Sequence, residues 1–388
     1  MRFRTIETGM NLRIPDALLL VVATLTATGC VMVYSTTSVL DYAQGVTWSW
    51  ILKHMAWVLL GALALIACRR TRLDWLQENA RLIALVSILL LLLVFFPGLG
   101  ARINGARRWI KLGFLTFQPS EVAKIAVLVF LADFLTRKAH LRFDFKRGFL
   151  PPVVLAGLVF LFVIVEPDFG TASLVLALTG IMLLLGGTRL SFLGYTGALA
   201  LPLLGAVLIA APYRVKRLMT FWDPWSDPEG KGYQVVQSML ALGRGGFGGV
   251  GLGNSNQKLN YLPSSYSDFI FAILGEEMGW LGAVLVLGLF AALLWLGWQA
   301  ARRAPDAFSS LLAMGITMML VLQAAINIAV VTASVPTKGI PLPFLSFGGS
   351  ALVLNLAAAG ILLRIADEGE KAEASDALPV FSPGASNI

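Results

Sequence analysis

An all-α bundle of about ten membrane-spanning helices, with one long loop on its outer face, is the fold class predicted for this chain. Three observations predict it. Of 388 residues, 57% are hydrophobic and only 13% charged, about half the charge of an ordinary soluble domain. The mean hydropathy is +0.78. Apolar runs of about 20 residues recur from end to end, each long enough to cross about 30 Å of hydrocarbon.

The spans fall at about 17–35, 50–68, 82–97, 120–136, 149–166, 170–187, 190–211, 268–298, 308–334 and 343–364. The third is short, and the fourth opens on Glu121 and Lys124. Ten spans put both termini on one side. The expected organisation is a polar N-terminal segment 1–16, a membrane domain 17–364 that includes an outer loop 212–267, and a tail 365–388. The tail is rich in Glu, Lys, Ser and Pro and is expected to be disordered. Residues 1–16 carry Arg2, Arg4 and Arg13, and the run after them reads as a retained first span rather than a cleaved leader.

Cys30 and Cys68 both lie inside apolar runs, which argues against a disulfide framework. His54 and His140 are too far apart to suggest zinc. The net charge of +8 sits in loops between spans, so anionic lipid or a phosphorylated substrate is expected and nucleic acid is not.

Lysines and arginines orient the bundle. With the N-terminus inside, the inner loops hold Arg69, Arg70, Arg72 and Arg81, then Arg137, Lys138, Arg142, Lys146 and Arg147, then Arg189, Arg302 and Arg303. The outer loop 36–49 holds none. Two outer loops break the pattern. Residues 98–119 carry Arg102, Arg107, Arg108 and Lys111 without an acid. Residues 212–267 carry Arg214, Lys216, Arg217, Lys231, Arg244 and Lys258 against Asp223, Asp227 and Glu229. Either other spans fix the orientation and these charges are tolerated, or the two loops face a membrane-borne anion such as a pyrophosphate headgroup.

The loop 212–267 is too long for a connector. Its run GRGGFGGVGLG, Gly243 to Gly253, lacks the strand and helix of a dinucleotide site, so these glycines serve close backbone packing, ligand approach or mobility. Asp268 follows Pro263 and a set of serines at the mouth of a long apolar helix. It is placed either to cap that helix or to act as general base for a sugar hydroxyl. Charges inside spans are costly and suggest roles. Glu121 and Lys124, at i,i+3, form a structural pair or touch substrate. Glu166 and Asp168 flank Pro167 at an outer turn. Glu276 and Glu277, about 12 Å along the helix from Asp268, bond to neighbouring helices or line a wet cavity. Lys53 and His54 are expected to snorkel. The last outer turn, Pro336 to Ser350, is too rich in Pro and Gly for a helix and requires a shielded cavity, which Lys338 and Ser350 would line.

These segments resemble the SEDS family (shape, elongation, division and sporulation), its FtsW branch more than its RodA branch. The matching stretches are Asn104-Gly105-Ala106-Arg107-Arg108-Trp109, Gln118-Pro119-Ser120-Glu121 with Lys124, Glu166-Pro167-Asp168-Phe169-Gly170-Thr171 and Phe221-Trp222-Asp223-Pro224. Gly251-Leu252-Gly253-Asn254-Ser255, Ser267 to Ala272 and the turn Pro336 to Ser350 complete them in family order, from about residue 15 to 365. The resemblance implies a peptidoglycan glycosyltransferase that polymerises lipid II at the outer face of the bacterial plasma membrane, with both termini cytoplasmic, at the division septum. It implies Asp268 as the catalytic base and Glu121, Lys124 and Asp168 as site residues. Arg102, Arg108, Trp109 and Lys111, with Arg214, Arg217, Lys338 and Ser350, complete the expected substrate site. A divalent cation such as Mg2+ or Mn2+ is a possible aid. Expected partners are lipid II, a class B penicillin-binding protein transpeptidase and other division-complex membrane proteins. The pattern departs at Ser264, Tyr266 and Ser267, where the family usually has Glu, His and Thr, and at Asn260, where some division enzymes carry Glu. A lipid II flippase, an elongation-type polymerase and a non-catalytic scaffold are the alternatives.

Overall fold

The computed structural model describes residues 13–43, 48–96, 98–103, 106–112, 115–209, 219–230, 232–259 and 261–377. Its helices are α1 (Ile14–Ala43), α2 (Ser49–Arg70), α3 (Leu73–Glu78), α4 (Ala80–Leu93), α5 (Pro119–Arg137) and α6 (Leu150–Val165). They continue with α7 (Phe169–Leu185), α8 (Leu190–Ile209), α9 (Tyr233–Gly245), α10 (Ile270–Arg302), α11 (Ala307–Val331) and α12 (Ser350–Ala377). All but α3 and α9 correspond to the ten predicted spans.

Six helical stretches are long and apolar enough to cross a membrane by length and composition, and α4 and α7 are shorter apolar helices. Leu82, Leu85 and Leu89 of α4, and Val154, Leu158 and Leu161 of α6, stand exposed at helical spacing. Such stripes are a liability in water and ordinary in lipid. The chain is an integral membrane protein of polytopic, helical architecture. α11 and α12 are largely enclosed, whereas α2 lies at the periphery against α12 and α1.

The structure refines or corrects four expectations. The loop 98–119 contains a three-stranded antiparallel sheet of β1 (Gly100–Ile103), β2 (Ala106–Leu112) and β3 (Leu115–Phe117). Ile103 pairs with Ala106 across Asn104-Gly105, a dipeptide that favours two-residue hairpins. The loop 212–267 contains α9, whose Val235, Val236 and Ala241 are buried. The tail expected to be disordered from 365 is helical to Ala377. Long-range partners order it: Arg69 grips Asp367 through two hydrogen bonds of 2.7 and 3.0 Å, Glu370 accepts the Ile14 N–H, and Arg303 lies 3.3 Å from Glu373. The final span also begins at Ser350 rather than 343, because Phe344 (φ +67°) and Gly349 (φ +47°) lie in the left-handed region and break any helix before it.

Candidate functional site

The irregular turn between α11 and α12 is the hub of the site, and buried amides of α11 hold it. The Asn327 side-chain amide donates to the Asp268 carbonyl and to the Ile340 carbonyl, both at 2.8 Å. One helical turn earlier, the Gln323 amide donates to the Pro341 carbonyl at 3.0 Å. The Ser346 hydroxyl donates to the Ser267 carbonyl at 2.6 Å, and the Phe347 N–H to the Tyr266 carbonyl at 3.0 Å. Residues 264–269 and 338–347 are thus one unit.

Asp268 is half-buried at the entrance to α10. The N-cap position falls on Phe269, one residue later. The Asp268 carboxylate faces the turn so closely that a Cβ at Gly339 would lie 3.1 Å from Oδ2. Burial, with the charge of Asp268 second, raises the Tyr266 pKa. The departures at 264, 266 and 267 find a physical reason. Ser264, Tyr266 and Ser267 tie the segment together through carbonyls, which accept from Ser267 and Phe269, from Phe347 and from Ser346 respectively. These bonds are made by main-chain carbonyls and do not require the family's usual side chains. The Tyr266 ring adds edge contacts to Phe347 and a tilted contact to Trp50.

A second arm closes on the same turn. Asp168 is the N-cap of α7, accepting from the Thr171 N–H and hydroxyl at 3.0 Å each. Its Oδ2 also accepts from the Gln118 amide at 3.2 Å, while the Gln118 N–H donates to Ser350 Oγ at 3.2 Å. The starts of α5, α7 and α12 are therefore linked. Lys338 places Nζ 4.9 Å from the Phe169 ring centroid. Its burial lowers its pKa, and an arriving anion would oppose that shift by favouring the charged form.

Arg108 reaches this arm from β2. Strand alternation puts Ala106, Arg108 and Ile110 on the face towards the bundle and Arg107, Trp109 and Lys111 on the other; Ala106 and Ile110 are buried, Arg107 and Lys111 exposed. The Arg108 guanidinium donates to the Glu166 and Pro167 carbonyls at 2.9 and 2.5 Å. Glu166 is buried, and neither carboxyl oxygen has a hydrogen-bond partner among the described residues. Burial chiefly, and the Asp168 charge next, push its pKa up to about 9, against the pull of Arg108. Arg102 sits on β1 opposite Arg107. Arg214 and Arg217 lie outside the described residues, as does Asn260.

Below the turn, Lys124 Nζ lies 2.9 Å from Glu121 Oε2, a contact whose angles fall short of a hydrogen bond. Both side chains are buried. Lys124 donates to Gln323 Oε1 at 2.8 Å. The chain Glu121–Lys124–Gln323–Pro341 thus runs from α5 through α11 to the hub. Sequence reasoning singled out neither Gln323 nor Asn327. Their signal was two amides four residues apart in an otherwise apolar helix.

The expected cluster of loop cations is smaller than the sequence count. Lys258 Nζ is buried 2.9 Å from Glu277 Oε1 and donates to Ser35 Oγ at 2.9 Å. Arg244 Nη1 is 3.2 Å from Glu276 Oε1, which also accepts from the Asn256 N–H at 3.1 Å. Glu276 and Glu277 therefore anchor the loop and neutralise two of its cations. The glycine run packs closely beside them: a Cβ at Gly249 (φ +79°) would fall 2.2 Å from the Glu277 carbonyl oxygen. His54 does not snorkel. It is fully buried against Phe347, with ring centroids 5.6 Å apart, whereas Lys53 is exposed over Trp50.

The chain is similar to known proteins over nearly its full length. Residues 16–371 match the family described as cell cycle protein, FTSW_RODA_SPOVE. Stage V sporulation protein E of Bacillus subtilis (strain 168) is 40% identical over 353 residues, 90% of this chain and 96% of its own. A probable peptidoglycan glycosyltransferase FtsW of Coxiella burnetii is 42% identical over 352 residues, 89% and 94%. Among solved structures, a chain from a peptidoglycan synthase complex described as coordinating polymerization and crosslinking aligns with a TM-score of 0.75 at 30% identity, covering 91% of this chain and 97% of that one. The rod shape determining protein RodA of Thermus thermophilus aligns at 0.66 and 27% identity, over 90% and 96%. The ordered motifs, the polytopic helical architecture and these matches together make the chain a member of the FtsW, RodA and SpoVE family of cell cycle proteins.

Proposed function

We propose that the chain is a peptidoglycan glycosyltransferase that polymerises lipid II. The observation that supports this most directly is the position of Asp268: a half-buried carboxylate pinned at a helix entrance, against a turn carrying a partly buried lysine, in a family whose members include probable peptidoglycan glycosyltransferases. In this reading Asp268 accepts the proton of the acceptor's GlcNAc 4-hydroxyl. The oxygen attacks the anomeric carbon of the donor's MurNAc, and undecaprenyl pyrophosphate leaves with inversion. Lys338, the lysine of the hub turn, stabilises the leaving pyrophosphate. Arg108 holds the 166–168 turn, and Lys111 stands on the outward face of the sheet. Arg102, Trp109, Arg214, Arg217 and Ser350 remain candidates for contact with the same substrate. Among the described residues no three His, Cys, Asp or Glu side chains group as a Mg2+ or Mn2+ site, so no step is assigned to a cation.

The partner in this reading is a class B penicillin-binding protein that crosslinks the strands as they form, in keeping with the synthase complex to which the chain is similar. The septum is the site of action, with the hub facing outwards and both termini in the cytoplasm. This placement rests on the charge pattern of the loops and on the FtsW relatives. Purified protein, its cognate transpeptidase and labelled lipid II test the proposal. Glycan strands are expected. Movement of lipid II across sealed vesicles without polymer would establish a flippase instead.

A further inference from the structure

At the end of the bundle opposite Asp268, a cavity of about 450 Å3 opens between the last turn of α2 and the second half of α12, lined by Ile66, Arg69, Arg70, Arg364 and Asp367. Three guanidinium groups meet two carboxylates there, Asp367 in the lining and Glu368 beside it. Arg69 is neutralised by Asp367 through its two hydrogen bonds. Arg364 is satisfied at one end only: Nη2 lies 2.6 Å from Glu368, while the buried Nε–H has no acceptor among the described residues. Arg70 is exposed and, among the described residues, within reach of no carboxylate. The cavity therefore holds one unspent positive charge, on Arg70, beside a guanidinium whose donors are only partly used, and an anion with several oxygens would meet both.

The surroundings say which anion. Leu59, Leu63 and Ile66 of α2 are exposed at helical spacing and lead directly to Arg70, one stripe along the outer face of a helix that crosses lipid. A phosphodiester in the cavity would have its acyl chains on that stripe, and a soluble phosphate would leave the stripe unused. We propose that this cleft is a binding site for an anionic phospholipid, with the headgroup phosphate held by Arg70 and Arg364 and an acyl chain along Leu59, Leu63 and Ile66. The site is independent of the catalytic reading and occupies the far end of the α2–α12 pair.

Native mass spectrometry of the purified full chain tests it, with phosphatidylglycerol and phosphatidylcholine as the lipids. Phosphatidylglycerol should be retained preferentially, and inorganic phosphate should not displace it. Arg70→Gln, which breaks no ion pair of the described residues, should weaken retention about tenfold, the effect of one lost charge-assisted hydrogen bond. Arg70→Lys should keep part of it. Arg72→Gln, outside the cavity, should change nothing. Equal retention of the two lipids, displacement by inorganic phosphate, or an Arg72→Gln loss matching that of Arg70→Gln would each overturn the proposal.

Discussion

The Glu121–Lys124 pair separates structure from function more sharply than any other pair in the protein. The side chains are 4% and 2% exposed, with Nζ and Oε2 2.9 Å apart. Replacing either one alone leaves a buried charge uncompensated, which costs about 3–5 kcal/mol. Lys124→Leu also strips Gln323 Oε1 of its donor, a further loss of about 1–3 kcal/mol. The double variant Glu121→Leu/Lys124→Leu removes both charges and retains only that second loss. Its apparent melting temperature in detergent should therefore lie well above those of both single variants. Activity should not return with stability. Lys124 orients Gln323, Gln323 holds the Pro341 carbonyl, and that turn carries Lys338 and Gly339 beside Asp268. The assay is thermal unfolding and lipid II polymerisation on the same four preparations. A stable double variant with wild-type polymerisation would refute this reasoning and leave the pair a purely structural role.

Three further outcomes are expected. Gly339→Ala places a Cβ 3.1 Å from Asp268 Oδ2, so it should depress polymerisation while the melting temperature hardly moves; unchanged kinetics would show that the carboxylate position is not critical. Glu166 has a folded pKa of about 9 against 4.5 for an ordinary Glu, so its contribution to stability is full below about 4.5 and lost as pH rises through about 9; Glu166→Gln, which cannot ionise, should flatten the fall in melting temperature across that window, and an identical pH profile would contradict the assignment. Lys258→Met leaves Glu277 buried with, among the described residues, Ser35 and the Ser255 N–H as the remaining partners of its side chain, a loss of about 3–5 kcal/mol; an unaltered melting temperature would show the loop to be anchored elsewhere.

The spans were legible because the hydrophobic signal is local: each run of apolar residues declares its own helix, whatever it packs against. The sheet was not, because Arg108 stands on the inward face of β2 between Ala106 and Ile110 and breaks the apolar alternation that marks a strand; the Asn104-Gly105 dipeptide was the signal left. The helical end of the tail depends on Arg69, Arg303 and the Ile14 N–H, partners 70 to 356 residues away that no local pattern reveals. The site followed the same division. Asp268, Asp168, Lys338 and the Glu121–Lys124 pair stood out as charges or motifs beside membrane spans. Gln323 and Asn327 did not, because an amide in an apolar helix is inconspicuous until its acceptors, here the carbonyls of Pro341, Asp268 and Ile340, are known. Arg244 and Lys258 were counted as free cations because their neutralising partners, Glu276 and Glu277, lie in the next helix.

The central claim is that the Asp268 carboxylate is the base of a glycosyl transfer. Asp268→Asn keeps the shape of the side chain and every main-chain bond to Asn327, but the amide cannot accept the proton. Purified Asp268→Asn, with its transpeptidase partner and labelled lipid II, should show the wild-type melting temperature and partner binding and form no glycan strands. Near-normal polymer from that variant would contradict the claim.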